Sequence, residues 1–139
     1  MKAFLIATGV VILLLVGSFW WSGNIQSNEP DIISTTGIHW HPELEIFVEG
    51  EKIEIPQNTG LIGKHSPIHT HEDLPIIHLE FEGIVRKDDV RLSRFFEVWR
   101  KDFKEFSPNV SMTVNGQENT ELESYIMQNG DKIVLRYFN

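Results

Sequence analysis

Hydrophobic positions along this chain follow three different periods, and the changes between them divide it into parts. Residues 3–21 carry no charge, and residues 10–16 (Val-Val-Ile-Leu-Leu-Leu-Val) are apolar without a break. A bilayer-spanning helix needs ~17–25 such residues, whereas the apolar part of a cleaved signal usually has ~7–15. The segment is apolar all round rather than along one stripe, which argues against a helix packed on a core. Phe19, Trp20 and Trp21 end it with side chains suited to a membrane–water interface. No Ala-x-Ala-like cleavage site follows, and residues 16–18 (Val-Gly-Ser) are a poor substitute. The pattern predicts an uncleaved transmembrane signal-anchor over residues 1–22. Lys2 precedes it, while Glu29 and Asp31 follow. The bias of basic residues toward the cytoplasm then predicts a membrane-anchored protein whose domain is extracytoplasmic, at the cell surface or in a periplasm. Residues 23–37 are polar and rich in turn formers, and read as a linker.

Residues 38–139 have the periods of a folded domain. Leu44, Ile46 and Val48 alternate with Glu43, Glu45 and Glu49, broken only by Phe47, and Ile53 and Ile55 alternate with Lys52 and Glu54. With Glu49-Gly50 between them, the two runs predict a hairpin. Residues 67–71 and 76–82 form a second pair of extended runs. Over residues 89–106 the period changes: Leu92, Phe95, Phe96, Trp99, Phe103 and Phe106 make a helical stripe, and Pro108 stops it. Its aromatics read as core packed against a sheet. Val110, Met112 and Val114 lead into Asn115-Gly116, a strong tight-turn dipeptide, and Asn129-Gly130 precedes a closing strand with Ile133, Leu135 and Tyr137. Residues 122–127 fit a short helix or an irregular strand. The order predicts an α+β domain: a small mixed β-sheet with one main amphipathic helix on one face.

Composition narrows the chemistry. The absence of cysteine removes disulfides, thiolate zinc fingers and iron–sulfur clusters. The formal charge of −8 argues against nucleic acid as a partner and suits attraction of cations. All six histidines (His39, His41, His65, His69, His71, His78) fall between residues 39 and 78. Two pairs are His-x-His, and alternate residues of a strand share a face ~7 Å apart, so each pair can aim two imidazoles at one point. If residues 72–75 form a four-residue hairpin loop, His71 pairs with Ile76 and His69 lies opposite His78. One face then carries His69, His71 and His78, and the other carries Ile68, Thr70, Ile77, Leu79 and Phe81. The histidine parity and the hydrophobic parity agree, and neither sets the other. Histidines scattered on a solvated strand are the simpler reading for one pair. Two pairs plus a third strand histidine favour a metal site, with a pH-responsive surface as the other alternative. The expected ligands are His39, His41, His69, His71 and His78, with Glu80 as a ligand, a base or a partner to one ring. Whether His39 and His41 join the same site depends on strand order.

Three resemblances follow from these motifs. Residues 129–135 (Asn-Gly-Asp-Lys-Ile-Val-Leu), after a helix and a Val-Asn-Gly strand, look like the closing half of a β-grasp (ubiquitin-like) domain. Gly63 followed by His69-Thr70-His71 resembles the start of the cupin metal motif, but Pro75 and Ile76 stand where that motif wants Glu. The broadest likeness runs from Ile38 to the end. It rests on His39-Trp40-His41-Pro42-Glu43-Leu44-Glu45-Ile46, Pro67-Ile68-His69-Thr70-His71-Glu72, Ile76-Ile77-His78-Leu79-Glu80 and Phe95-Phe96-Glu97-Val98-Trp99. These resemble a family of small, uncharacterised, membrane-anchored prokaryotic proteins, in which Asp is expected at the place of Glu72. The resemblance implies a shared fold and shared ligands, and carries no activity.

The sequence therefore predicts a metal-binding protein using Cu(II) or Zn(II), both suited to nitrogen ligands. The only methionines in the domain, Met112 and Met127, lie away from the histidines, which argues against a Cu(I) chaperone. A metal-dependent hydrolase or lyase with a three-histidine site is one alternative, although no Gly-x-Ser-x-Gly or His-Glu-x-x-His motif supports it. The other is an anchored adaptor that binds a protein partner or a second copy of itself through sheet edges and exposed aromatics.

Overall fold

The computed structural model describes residues 2–27 and 30–139. Helix α1 (Lys2–Ser27) is followed by strands β1 (Ile32–Ser34), β2 (Ile38–Trp40), β3 (Glu43–Val48) and β4 (Glu51–Ile53). Then come β5 (Ile68–His69), β6 (His78–Phe81), β7 (Val85–Arg86) and a 3-10 turn, Lys87–Val90. Helix α2 (Leu92–Trp99) leads to β8 (Asn109–Val114) and β9 (Gln117–Glu118), a 3-10 turn Leu122–Ser124, and β10 (Lys132–Phe138).

The single mixed sheet expected from the sequence is three sheets. A five-stranded sheet runs β4-β3-β10-β8-β9, a three-stranded one β2-β6-β5, and β1 pairs with β7. In the large sheet β10 is parallel to β3, from Lys132 beside Glu43 to Tyr137 beside Val48, and antiparallel to β8. Its two hairpins close on Glu49-Gly50 (φ 51° and 86°) and Asn115-Gly116 (φ 53° and 81°). Two successive residues at positive φ match the twist of an antiparallel pair, which is why Gly stands second in both. The chain changes sheets at Pro42. It has no N–H to donate, but its carbonyl accepts from Ile77 (2.8 Å), so β6 is joined to the crossover.

The core lies between the two larger sheets and α2. Leu44, Ile46, Met112, Ile133 and Leu135 of the large sheet, Ile68 and Leu79 of the small one and Ile77 just before β6 are almost wholly buried with Leu92, Phe95 and Phe96. Each such side chain contributes about 1.5–3 kcal/mol by burial. The aromatic stripe is core, but less of it is helical than its period predicts. Arg100 adopts left-handed backbone (φ 60°, ψ 39°), and its N–H and that of Lys101 close on the last carbonyls of α2. Phe103 and Phe106 leave the irregular chain beyond and meet the Tyr137 ring at 6.1 and 5.3 Å. The period of burial outlasts the period of the backbone.

The N-terminal segment corrects the largest expectation. It is helical, yet among the described residues no helix is long and apolar enough to cross a membrane. The unbroken apolar run is confined to residues 10–16, bounded by Thr8 and Gly9 on one side and Gly17 and Ser18 on the other. The transmembrane anchor over residues 1–22, the signal-anchor reading and the extracytoplasmic membrane localisation built on it are overturned together. Residues 28 and 29 lie outside the described residues, but Ile32–Ser34 is strand, and Asp31 accepts from Arg86 at 2.9 Å.

Candidate metal centre

β6 is the middle strand of its sheet, and the histidines gather about its first residue. His69 on β5 lies directly opposite His78. On the other flank His39 of β2 faces Glu80, and the same register carried forward sets His41 beside His78. Side-chain alternation puts His39, His69, His78 and Glu80 on one face of the sheet, and Ile68 and Leu79 on the other, in the core. The rings form a continuous cluster. Centroids are 4.7 Å apart for His39–His41, 4.9 Å for His41–His78, 4.7 Å for His71–His78, 5.4 Å for His69–His78 and 4.9 Å for His69–His71.

Two triads in this cluster offer ligand nitrogens within 4.8 Å of one another: His69, His71 and His78, and His39, His41 and His78. His78 belongs to both. His65, on an exposed loop with its ring 6.3 Å from that of His69, belongs to neither.

Local hydrogen bonds set which nitrogen each buried ring presents. A carbonyl can only accept, so His69 Nδ1 carries the proton it shares with the Ser66 carbonyl (3.1 Å) and its Nε2 keeps the lone pair. The same logic holds for His78, whose Nε2 lies 3.2 and 3.1 Å from the two Asp73 oxygens and donates to them. In the neutral ring His78 Nδ1 is then the lone pair, and it is buried with no hydrogen-bond partner, the Glu80 carboxylate lying 3.8 Å away. The hydrogen bond from His78 holds the Asp73 carboxyl below its ordinary pKa. Burial pushes the His69 imidazole below its usual value, against the opposing pull of the Ser66 carbonyl and Glu80. Burial thus favours a neutral ring at His69, and the hydrogen bond favours an ionised carboxylate at Asp73, the states in which those two groups bind cations.

The hairpin that carries His69, His71 and His78 is wider than the four-residue loop expected. Its ladder ends at the His69–His78 pair, so His71 does not pair with Ile76, which instead bridges to Glu43. Thr70 turns away to another partner. Its N–H donates to the Thr59 carbonyl (3.1 Å), its carbonyl accepts from Asn58, and its hydroxyl donates to the Pro56 carbonyl (2.9 Å) while accepting from the Thr59 N–H. Thr70 is wholly buried, so this loop clamps the backbone between the two histidines of the pair. Gly60 makes that approach possible. A Cβ there would stand 2.4 Å from the Ile68 carbonyl oxygen, and its φ of 80° suits glycine alone.

Sequence reasoning placed Thr70 on the core face but missed the clamp, and it missed Asp73 and Asn129 altogether. Asn129 Oδ1 accepts the His41 N–H (2.9 Å) from 88 residues away, and no local pattern signals that contact. Asp73 was legible in principle: a carboxylate in a hairpin loop is within reach of the ring that ends the hairpin. No known protein family, curated protein or solved structure matches this chain, so the resemblances drawn from its motifs receive no support from that side.

Proposed function

We propose that this protein binds a divalent transition-metal ion, Cu(II) or Zn(II), through His69, His71 and His78, and that its role is to hold the ion. The observation that carries this reading is the buried Nδ1 of His78, which has no hydrogen-bond partner and only the Glu80 carboxylate at 3.8 Å, in a ring whose other nitrogen is held by Asp73. An unsatisfied buried acceptor costs about 1–3 kcal/mol, and a coordinated cation removes that cost. Metal-ligating histidines ordinarily donate their second nitrogen to a carboxylate or a backbone carbonyl, and His78 and His69 do one each.

The donor set fits such an ion. Four-coordinate Zn–N bonds of about 2.0–2.1 Å require nitrogens about 3.3 Å apart. The nitrogens of the triad lie within 4.8 Å, so a closure of about 1.5 Å completes the site, which rotation of the partly exposed His71 ring can supply. The chain's charge of −8 favours cation capture.

Holding is favoured over catalysis by the surroundings. Cavities lined by Pro56, Thr59, Gly60 and Trp99, and by Leu44, Ile53, Ile55 and Pro75, contain no histidine. A water-excluding pocket around the reacting metal is what hydrolytic chemistry needs. Titration calorimetry with Cu(II) and Zn(II) tests the reading. Binding of at least one equivalent, weakened about 100-fold or more in the double variant His69→Ala/His71→Ala, is expected. An unchanged affinity in that variant overturns it.

A further inference from the structure

The second triad raises a question of occupancy, because His78 cannot serve two ions through one lone pair. We propose that His39, His41 and His78 form an outer capture site that alternates with the inner triad, so that one ion is taken up outside and handed inward. This rests on the reading of His69, His71 and His78 as a metal site.

Both triads draw a nitrogen from the single His78 ring, whose Nε2 is held by Asp73 and whose Nδ1 has no hydrogen-bond partner. They are therefore filled in turn. Exposure sets the direction. The His39 side chain is 65% exposed, whereas His69 and His78 are 4% and 9% exposed as residues. An ion arriving from solvent meets His39 and His41 first. Glu80 strengthens that encounter, its carboxylate lying 3.1 Å from His39 Nε2 and 3.8 Å from His78 Nδ1. From there the path is unbroken, with His41 and His71 on either side of His78 at centroid distances of 4.9 and 4.7 Å. His78 stays bound throughout. His39 and His41 let go as His69 and His71 engage, and the ion is never without nitrogen ligands.

The probe is Cu(II) alone with the full chain, followed by quenching of tryptophan fluorescence, since Trp40 lies between His39 and His41. The proposal expects one equivalent in the wild type. The variant His39→Ala/His41→Ala keeps one equivalent and an affinity within about threefold. It binds and releases the ion about tenfold more slowly, in the range by which a charged approach alters association rates. The variant His69→Ala/His71→Ala keeps a single, weaker and rapidly exchanging ion. Circular dichroism confirms that both variants fold. Two equivalents in the wild type overturn the proposal, as does an unchanged association rate in His39→Ala/His41→Ala. An affinity loss there equal to that of His69→Ala/His71→Ala also overturns it, because a single undivided site is then at work. Each of these leaves the inner metal site standing. No Cu(II) bound by the wild type, or no effect of His69→Ala/His71→Ala, removes both readings.

Discussion

Asp131 and His78 are both buried ionisable side chains, and the fold treats them in opposite ways. Around Asp131 every demand is met. One carboxylate oxygen accepts from the Tyr125 hydroxyl and the Gln128 N–H, both at 2.8 Å, and the other from the Asn115 amide at 3.1 Å. The Asp131 carbonyl accepts from Glu43, and the neighbouring Asn129 holds the N–H of His41. Burial and the Asp131 carboxylate together push the Tyr125 hydroxyl well above its ordinary range. At His78 one nitrogen is held and the other is left without a hydrogen bond. The satisfied cluster is structural, since it ties the turn before β10 to the crossover that delivers His41 and Glu43. The unsatisfied one keeps capacity in reserve for a ligand. Burial alone does not mark a binding site; burial with an unanswered donor or acceptor does.

Emptying the satisfied cluster tests this contrast most severely. Asp131→Ala strands the buried Tyr125 hydroxyl, while water can reach the Gln128 N–H and the Asn115 amide, so the expected loss is about 1–3 kcal/mol of folding stability. Urea denaturation measures it. A loss under about 1 kcal/mol means that water replaces the carboxylate, and the cluster is not the anchor described.

Asp73→Ala acts on the other side. Its side chain is half exposed, so stability should move little, while Cu(II) or Zn(II) affinity should fall about 10–100-fold because the His78 ring loses the partner that orients it. Calorimetry beside a denaturation curve separates the two. A large stability loss with unchanged affinity would make His78 another structural residue.

The smallest effect is a dependence on pH. His69 has its pKa lowered from 6.5 by burial, so the unfolded chain binds the proton more readily than the folded one. The metal-free protein therefore keeps the full contribution of neutral His69 above pH 6.5 and loses it as pH falls from there through the folded-state value. The slope from this one group is at most about 1.4 kcal/mol per pH unit. Metal affinity should fall in the same direction, since protons and the ion compete for the same nitrogen. Denaturation midpoints followed from mildly alkaline to mildly acidic buffer check the sign, and a midpoint that rises on acidification contradicts it.

Local patterns carried the domain a long way. The two positive-φ turns, the parity of Ile68 and Leu79 against His69 and His78, and the burial of Phe95, Phe96 and Phe103 all follow from alternation or from turn chemistry within a few residues. The helix boundary was less legible, because Arg100 ends α2 with a left-handed cap that no Gly or Asn announces. The N-terminal segment departs furthest from its pattern: absence of charge over nineteen residues looks like a span, yet among the described residues no helix is long and apolar enough to cross a membrane.

Which residues share a face was settled by the order of amino acids, because a two-residue period is written into covalent geometry. Which faces meet was not. The order β2-β6-β5, which sets His41 on one flank of His78 and His69 on the other, needs β2 to pair with the distant β6 as well as the β5–β6 hairpin to close. The same is true of Asn129 reaching His41, while Asp73 turns back onto His78 only once the hairpin has closed. Alternation is local and easily encoded; convergence requires the whole chain to close on itself.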